Sequence, residues 1–133
     1  MGQERILIVE DDQVLVDLLT EFLTRADFEV VAVDSALGAA ELARQLQPRA
    51  VLLDLGLPFR PGTALLADLK ADVRTADIPV IILSGMTEVL SDARRAMAAA
   101  VVTKPFDPES LLNTIREVVF HARPDAEPGS SQS

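Results

Sequence analysis

Short apolar runs alternate along this chain with longer segments whose apolar residues recur every three or four positions. A short apolar run between turn residues is typical of a strand buried in a parallel sheet, and the longer period is typical of an amphipathic helix. The runs predict five strands, at 5–9, 28–33, 50–54, 79–83 and 101–103. The periodic segments predict five helices, over 15–23, 35–46, 63–72, 88–98 and 108–119.

Regular alternation of strand and helix with short connections predicts an α/β fold, a parallel sheet with helices on both faces. Capping residues indicate two of the helix starts. Ser35 is expected to cap the second helix, and Asp107 with Pro108 the fifth.

Polar residues stand where four of the predicted strands end: Asp11 and Asp12, Asp54, Ser84, and Lys104. The carboxyl ends of parallel strands share one edge of the sheet, which is where ligands bind in open α/β folds. We therefore expect these side chains to line one cleft. If Asp54 were the only polar residue at this edge, a purely structural role would be the better interpretation, with its carboxylate capping the loop after the strand.

Three carboxylates in one cleft repel one another, which a bound cation would relieve. Mg²⁺ takes a few carboxylates plus water, and the Gly56 carbonyl would complete a shell made only of oxygen. With its charge neutralised, Asp54 can act as a nucleophile toward phosphorus. Lys104 and Ser84 are then placed to hold the oxygens of a transferring phosphoryl group.

Composition narrows the class of protein. The chain has 133 residues and no cysteine, so disulfides and thiolate metal sites are excluded. Its net charge of −9 disfavours binding to the phosphate backbone of nucleic acid. No apolar run has the length of a membrane span, and we expect a cytoplasmic protein. Residues 1–121 are expected to form one domain, and 122–133 a disordered tail or the start of a linker. Whether the chain is complete or a fragment stays open.

The motifs together resemble the receiver domain of two-component response regulators. The resemblance covers residues 4–120 and is carried by four motifs, each closing a strand: Glu10-Asp11-Asp12, Asp54-Leu55-Gly56-Leu57-Pro58 with Gly62, Ser84-Gly85, and Lys104-Pro105-Phe106. It implies a flavodoxin-like (βα)5 three-layer sandwich with strand order 2-1-3-4-5. It also implies a cis peptide bond between Lys104 and Pro105.

The resemblance assigns roles to the cleft. Asp54 would accept a phosphoryl group from a histidine kinase or a histidine phosphotransfer protein. Asp12, Asp54 and the Gly56 carbonyl would bind Mg²⁺ (or Mn²⁺) directly, and Asp11 would act through a metal-bound water. Ser84 would be the switch hydroxyl and Lys104 the phosphate-sensing lysine. Such a domain promotes its own phosphorylation and dephosphorylation without being a conventional enzyme.

One departure from the family affects the output. Val101 stands where the family usually has an aromatic ring that moves when the switch hydroxyl engages phosphate. The output partner is unknown, and a homodimer is possible. A docking surface for the phosphodonor is expected at the first helix and the loops around the site, since Val14, Leu15 and Leu18 cannot all face the sheet. The alternative is that all three are core residues.

Three alternative functions fit the sequence less well. A degenerate receiver that acts without phosphorylation would typically have lost an acid or the lysine. A phosphohydrolase of the haloacid dehalogenase kind would need a second Asp where Gly56 stands. A nucleotide or flavin site would need a Gly-rich loop after the first strand.

Overall fold

A computed structural model describes residues 4–56, 62–85 and 92–122, without the side chains of 92–94 and 121–122. The elements are β1 (Glu4–Val9), α1 (Gln13–Arg25), β2 (Phe28–Val33), α2 (Ala39–Leu46), β3 (Ala50–Asp54), α3 (Gly62–Ala71), β4 (Val80–Ser84), α4 (Asp92–Met97), β5 (Ala100–Thr103) and α5 (Pro108–Ala122). All strand pairs are parallel, and the order is β2-β1-β3-β4-β5. The predicted fold and strand order are confirmed.

The sheet separates two apolar cores because successive side chains of a strand point to opposite faces. Leu7, Val51 and Leu53 pack with the apolar faces of α2 and α3 on one side. Ile8 and Leu52 pack with those of α1 and α5 on the other. Every residue of β3 and β4 is buried, which explains why these strands read as continuous apolar runs.

A close backbone approach positions the start of α3 under the end of β3. A Cβ atom at Gly62 would lie 2.5 Å from the Asp54 carbonyl oxygen and 2.9 Å from the Leu55 Cα. Only a residue without a side chain allows this approach. The Gly62 N–H also donates to the Leu55 carbonyl at 3.3 Å, so the chain directly after Asp54 is held in place.

The helix starts differ in part from those predicted. Asp107 caps α5 as expected, accepting from the Ser110 N–H at 3.1 Å. Ser35 does not cap α2, so that prediction is wrong. The Ser35 hydroxyl instead accepts from the Leu37 N–H at 3.2 Å within a tight turn. Gly38, in the left-handed conformation at φ 77°, then precedes the first residue of α2.

Several predictions fall outside the described residues. These are the start of α4 before residue 92, the Leu57-Pro58 part of the Asp54 motif, and the tail from residue 123 onward. Among the described residues, no helix combines the length and apolar content that a bilayer crossing needs.

Candidate functional site

Three carboxylates come together at the carboxyl edge of the sheet. Glu10 directly follows β1, Asp11 begins the turn into α1, and Asp54 is the last residue of β3. One oxygen from each lies within 4.8 Å of the others. Glu10 is 2% exposed and Asp54 is 5% exposed, whereas Asp11 faces solvent. We call these three residues the acidic group.

Lys104 directly follows β5 and contacts the acidic group along the same edge of the sheet. Its Nζ donates to Glu10 Oε1 at 3.0 Å and to Asp54 Oδ1 at 3.2 Å. The Lys104 backbone N–H donates to the Ser84 carbonyl at 2.7 Å, which fixes the end of β5 against the end of β4. The peptide bond from Lys104 to Pro105 is cis, as predicted.

Burial and charge act on the pKa values in this cluster. Burial is the main cause that raises the pKa of Glu10, and it outweighs the hydrogen bonds from Lys104 and from the Asp12 N–H. Burial also acts to lower the pKa of Lys104, but the hydrogen bonds and charges of Glu10 and Asp54 together raise it. The ammonium of Lys104 is therefore held in its charged form between two carboxylates.

Asp12 lies at the start of α1. Its carboxylate caps α1, where Oδ1 accepts from the N–H groups of Val14 at 3.1 Å and Leu15 at 3.2 Å. The Asp12 backbone N–H donates to Glu10 Oε2 at 3.1 Å. The structure therefore assembles Glu10, not Asp12, with Asp11 and Asp54. The direct-ligand role that the resemblance implies for Asp12 stays a prediction.

Glu10 is not among the site residues that the sequence predicts. Two signals favour the observed arrangement. Glu10 continues the sheet register of β1, with its N–H donating to the Val33 carbonyl at 3.0 Å. Asp12 directly precedes the apolar stripe of a helix, which is the position of an N-cap.

Ser84 and Gly56 lie on the same edge. Ser84 is the buried last residue of β4, and its hydroxyl donates to the Gly85 carbonyl at 2.9 Å. The Gly56 N–H donates to Asp54 Oδ1 at 3.2 Å, which holds the carboxylate at the end of its strand. Val101 is half-buried in β5 and, like Met97 and Ala98, packs against the core on the α2 and α3 side of the sheet.

Apolar side chains form an open groove beside the acidic group. It is lined by Val14, Leu15 and Leu18 of α1, by Pro105 and Phe106 after β5, and by Asp12 and Lys104. Val14 is 79% exposed and Leu18 is 47% exposed. An apolar surface next to a polar site is typical of a partner-binding region. We call this surface the α1 groove.

Comparison of the sequence with known proteins gives a consistent result. The family model of the response regulator receiver domain matches residues 6–116. A similar curated protein is the DNA-binding dual master transcriptional regulator RpaA of Synechocystis sp., 40% identical over 118 residues, covering 86% of this chain and 48% of RpaA. The chain spans about half the length of the curated relatives it matches.

Solved structures show the same fold. A sensor protein from Polaromonas sp. JS666 superposes with a TM-score of 0.82 at 28% identity, covering 90% of this chain and 98% of that one. The receiver domain of the sensor histidine kinase PA1611 from Pseudomonas aeruginosa PAO1, which has a magnesium ion coordinated in its active site cleft, superposes with a TM-score of 0.77 at 24% identity and equal coverage. The chain belongs to the response regulator receiver domain family.

Proposed function

We propose that Asp54 accepts a phosphoryl group from a phosphohistidine on a histidine kinase or a histidine phosphotransfer protein. Receiver domains of response regulators are phosphorylated by histidine kinases. The observation that carries the assignment to Asp54 is its contact with Lys104, at 3.2 Å, within the acidic group. A buried carboxylate beside a fixed cation is suited to accept a group that carries negative charge.

The proposed transfer is a displacement at phosphorus. An oxygen of the Asp54 carboxylate forms a bond to phosphorus while the phosphorus–nitrogen bond of the donor breaks. The electron pair of that bond leaves with the imidazole nitrogen, and the product is an acyl phosphate. Lys104 and the Ser84 hydroxyl would donate to the phosphoryl oxygens, where charge accumulates. Hydrolysis of the acyl phosphate by water would return the domain to its starting state.

We infer that Mg²⁺ is bound by the acidic group. Glu10, Asp11 and Asp54 bring three carboxylate oxygens within 4.8 Å of one another, a donor set made only of oxygen, which Mg²⁺ prefers. The Gly56 carbonyl would add a fourth oxygen, and Mn²⁺ is the alternative ion with similar preferences. The bound cation would neutralise the repulsion among these carboxylates and the incoming phosphoryl group. The magnesium-bound receiver domain of PA1611 has the same fold.

We propose that the phosphodonor docks at the α1 groove. The groove is lined by Lys104 and Asp12 as well as by exposed apolar residues, so a protein bound there would reach the acidic group. Burying Val14 and Leu18 would supply hydrophobic contact area close to the reacting atoms. In the cytoplasm, phosphorylation would then alter binding to an output partner, which is another protein or a second copy of the chain.

An interaction module that works without phosphorylation is not favoured. Such a protein has no need for a half-buried lysine that contacts two buried carboxylates, because burying charges has a large desolvation cost. Here Glu10, Asp54 and Lys104 are all present and hydrogen-bonded to one another.

Intact-mass spectrometry tests the proposed function. The chain is incubated with Mg²⁺ and acetyl phosphate, and we expect it to gain the mass of one phosphoryl group. Asp54→Ala should show no gain, and Asp34→Ala, an exposed acid outside the acidic group, should gain it as the unchanged chain does. Labelling that persists in Asp54→Ala would refute the assignment.

A further inference from the structure

A second cavity lies at the end of the sheet opposite the acidic group. It is formed between the connection from α2 to β3 and the connection from α3 to β4, and its volume is about 390 Å³. Its charged lining residues are Arg49, Arg74 and Asp77. The lining therefore contains two guanidinium groups and one carboxylate. Two further carboxylates pair with the arginines from outside the lining, Glu4 with Arg49 and Asp72 with Arg74.

Arg49 has an unusual environment within this lining. Its backbone N–H donates to the Arg5 carbonyl at 2.8 Å, which holds the residue at the entrance to β3. Its Nε lies 3.8 Å from Glu4 Oε2, a long ion pair. Its Nη2 is buried and, within the described part of the chain, is the one buried side-chain nitrogen or oxygen without a hydrogen-bond partner. A buried donor without an acceptor is costly, so such a group needs a ligand or water.

The other arginine is already fixed in position. Arg74 Nη2 donates to Asp72 Oδ2 at 3.0 Å, while its side chain is 67% exposed. Its backbone carbonyl accepts from Gln47 Nε2 at 3.0 Å, so the two connections that form the cavity are tied together. Arg74 therefore stands at the rim of the cavity with donors still open to solvent.

We propose that this cavity binds an oxyanion group, either a carboxylate or a phosphate, through the guanidinium of Arg49. A planar guanidinium offers paired donors that match both groups. Arg74 contributes a second positive charge at the rim. The apolar lining residues Pro48, Ile78 and Pro79 favour a ligand that also has an apolar part.

The cavity is separate from the acidic group. Arg49 precedes β3 and Asp54 ends it, so the full length of a buried five-residue strand lies between them. At about 3.3 Å per residue that distance is roughly 16 Å. An anion in the cavity therefore cannot touch the residues that carry the proposed phosphorylation, and the two proposals stand or fall separately.

Titrations followed by NMR amide shifts test the proposal with two probes, inorganic phosphate and succinate, each compared with sodium chloride at equal ionic strength. We expect saturable shifts at the amides of residues 47, 49 and 73–78 with at least one probe. Saturation by succinate alone identifies a carboxylate ligand, and saturation by phosphate alone a phosphoryl ligand. Phosphate bound near Asp54 would shift different amides, at the carboxyl edge of the sheet.

Two substitutions and a control complete the test. Arg49→Gln should weaken binding by about tenfold or more, as expected for loss of a charged hydrogen-bond donor. Arg74→Gln should weaken binding less. If Arg49→Gln does not fold, Arg74→Gln alone tests the proposal. Arg25→Gln, which removes an exposed arginine paired with Glu21, should leave binding unchanged. Shifts that never saturate would overturn the proposal. So would binding that is as tight in Arg49→Gln and Arg74→Gln as in the unchanged chain.

Discussion

Three consecutive acids, Glu10, Asp11 and Asp12, occupy three different environments where β1 leads into α1. Glu10 is buried and hydrogen-bonded to Lys104, and Asp11 is exposed but offers an oxygen to the acidic group. Asp12 is exposed and caps the helix. One-residue steps along the turn thus decide whether a carboxylate contacts the lysine, adds an exposed oxygen to the acidic group or caps a helix.

Substitutions at Asp11 and Asp12 should therefore have separate effects. Asp11→Asn should strongly weaken Mg²⁺ binding measured by calorimetry, because a charged oxygen ligand is lost. Asp12→Asn should keep both the cap and Mg²⁺ binding, since Asn is an equally good N-cap residue. Asp12→Ala should also keep Mg²⁺ binding but lower the free energy of unfolding by about 0.5–2 kcal/mol. Loss of Mg²⁺ binding in Asp12→Asn would instead restore Asp12 as a ligand.

Asp72 lies outside the acidic group, and its hydrogen bonds should make the free energy of unfolding depend on pH. Its carboxylate accepts from the side chain and backbone N–H of Arg74 and from Arg44, and the Arg74 hydrogen bonds are the main cause that lowers its pKa from 3.8 to about 2. Because the folded pKa lies below the unfolded value, the stabilisation is present above about pH 4 and is lost as the pH falls toward 2.

Urea unfolding at several pH values measures this effect. Asp72→Asn should be less stable than the unchanged chain at pH 6, and the difference should shrink steadily below pH 4. Glu117→Gln, an exposed acid of α5, is the matched control and should show a small difference. A difference for Asp72→Asn that is constant from pH 6 to pH 3 would contradict the account.

At the scale of elements, α4 and α5 differ in how firmly they are packed. α5 buries Leu111, Leu112, Ile115 and Val119 against the sheet. The described part of α4 is residues 92–97, and the side chains described within it, from 95 to 97, are exposed or half-buried. Helical residues that bury little apolar area have low local stability. Val101, beside α4, is a β-branched residue with few side-chain rotamers.

Phosphorylation should therefore change α4 and its approach more than α5. With Mg²⁺ and beryllofluoride as a phosphoryl mimic, we expect amide hydrogen exchange to change mainly within residues 84–100, a range that includes the undescribed residues 86–91. Residues 108–120 should change little. Asp54→Asn treated in the same way is the control, and its amide exchange should not change in either range. A response concentrated in α5 would show that Val101 and α4 do not set the route of the signal.

At the scale of the whole molecule, the sequence predicts the strands well because buried parallel strands are continuous apolar runs between turns. The carboxyl edge follows from that topology, so Asp54, Ser84 and Lys104 are located together. The division between Glu10 and Asp12 depends on how the turn before α1 closes, which periodicity does not encode. The cavity of Arg49 and Arg74 joins two connections distant in sequence, and no local motif marks it.

The α1 groove predicts how one face of the molecule meets its phosphodonor. With a histidine kinase that phosphorylates the unchanged chain, Val14→Glu should slow transfer by roughly tenfold or more, because a charge would be buried in the complex. Labelling by acetyl phosphate should be unaffected. Val73→Glu is the matched control, since Val73 is 87% exposed at the opposite end of the sheet. If both variants slow transfer equally, or if neither slows it, the α1 groove is excluded as the docking site.

Direct localisation of the phosphoryl group tests the central claim. The phosphorylated chain is reduced with borohydride, which converts an acyl phosphate to an alcohol, and is then digested and sequenced by mass spectrometry. We predict that the side chain at position 54, and no other carboxylate, is converted. Conversion at Glu10, Asp11 or any other acid, or the absence of conversion in a chain that has gained a phosphoryl group, would contradict the assignment of Asp54 as the phosphoacceptor.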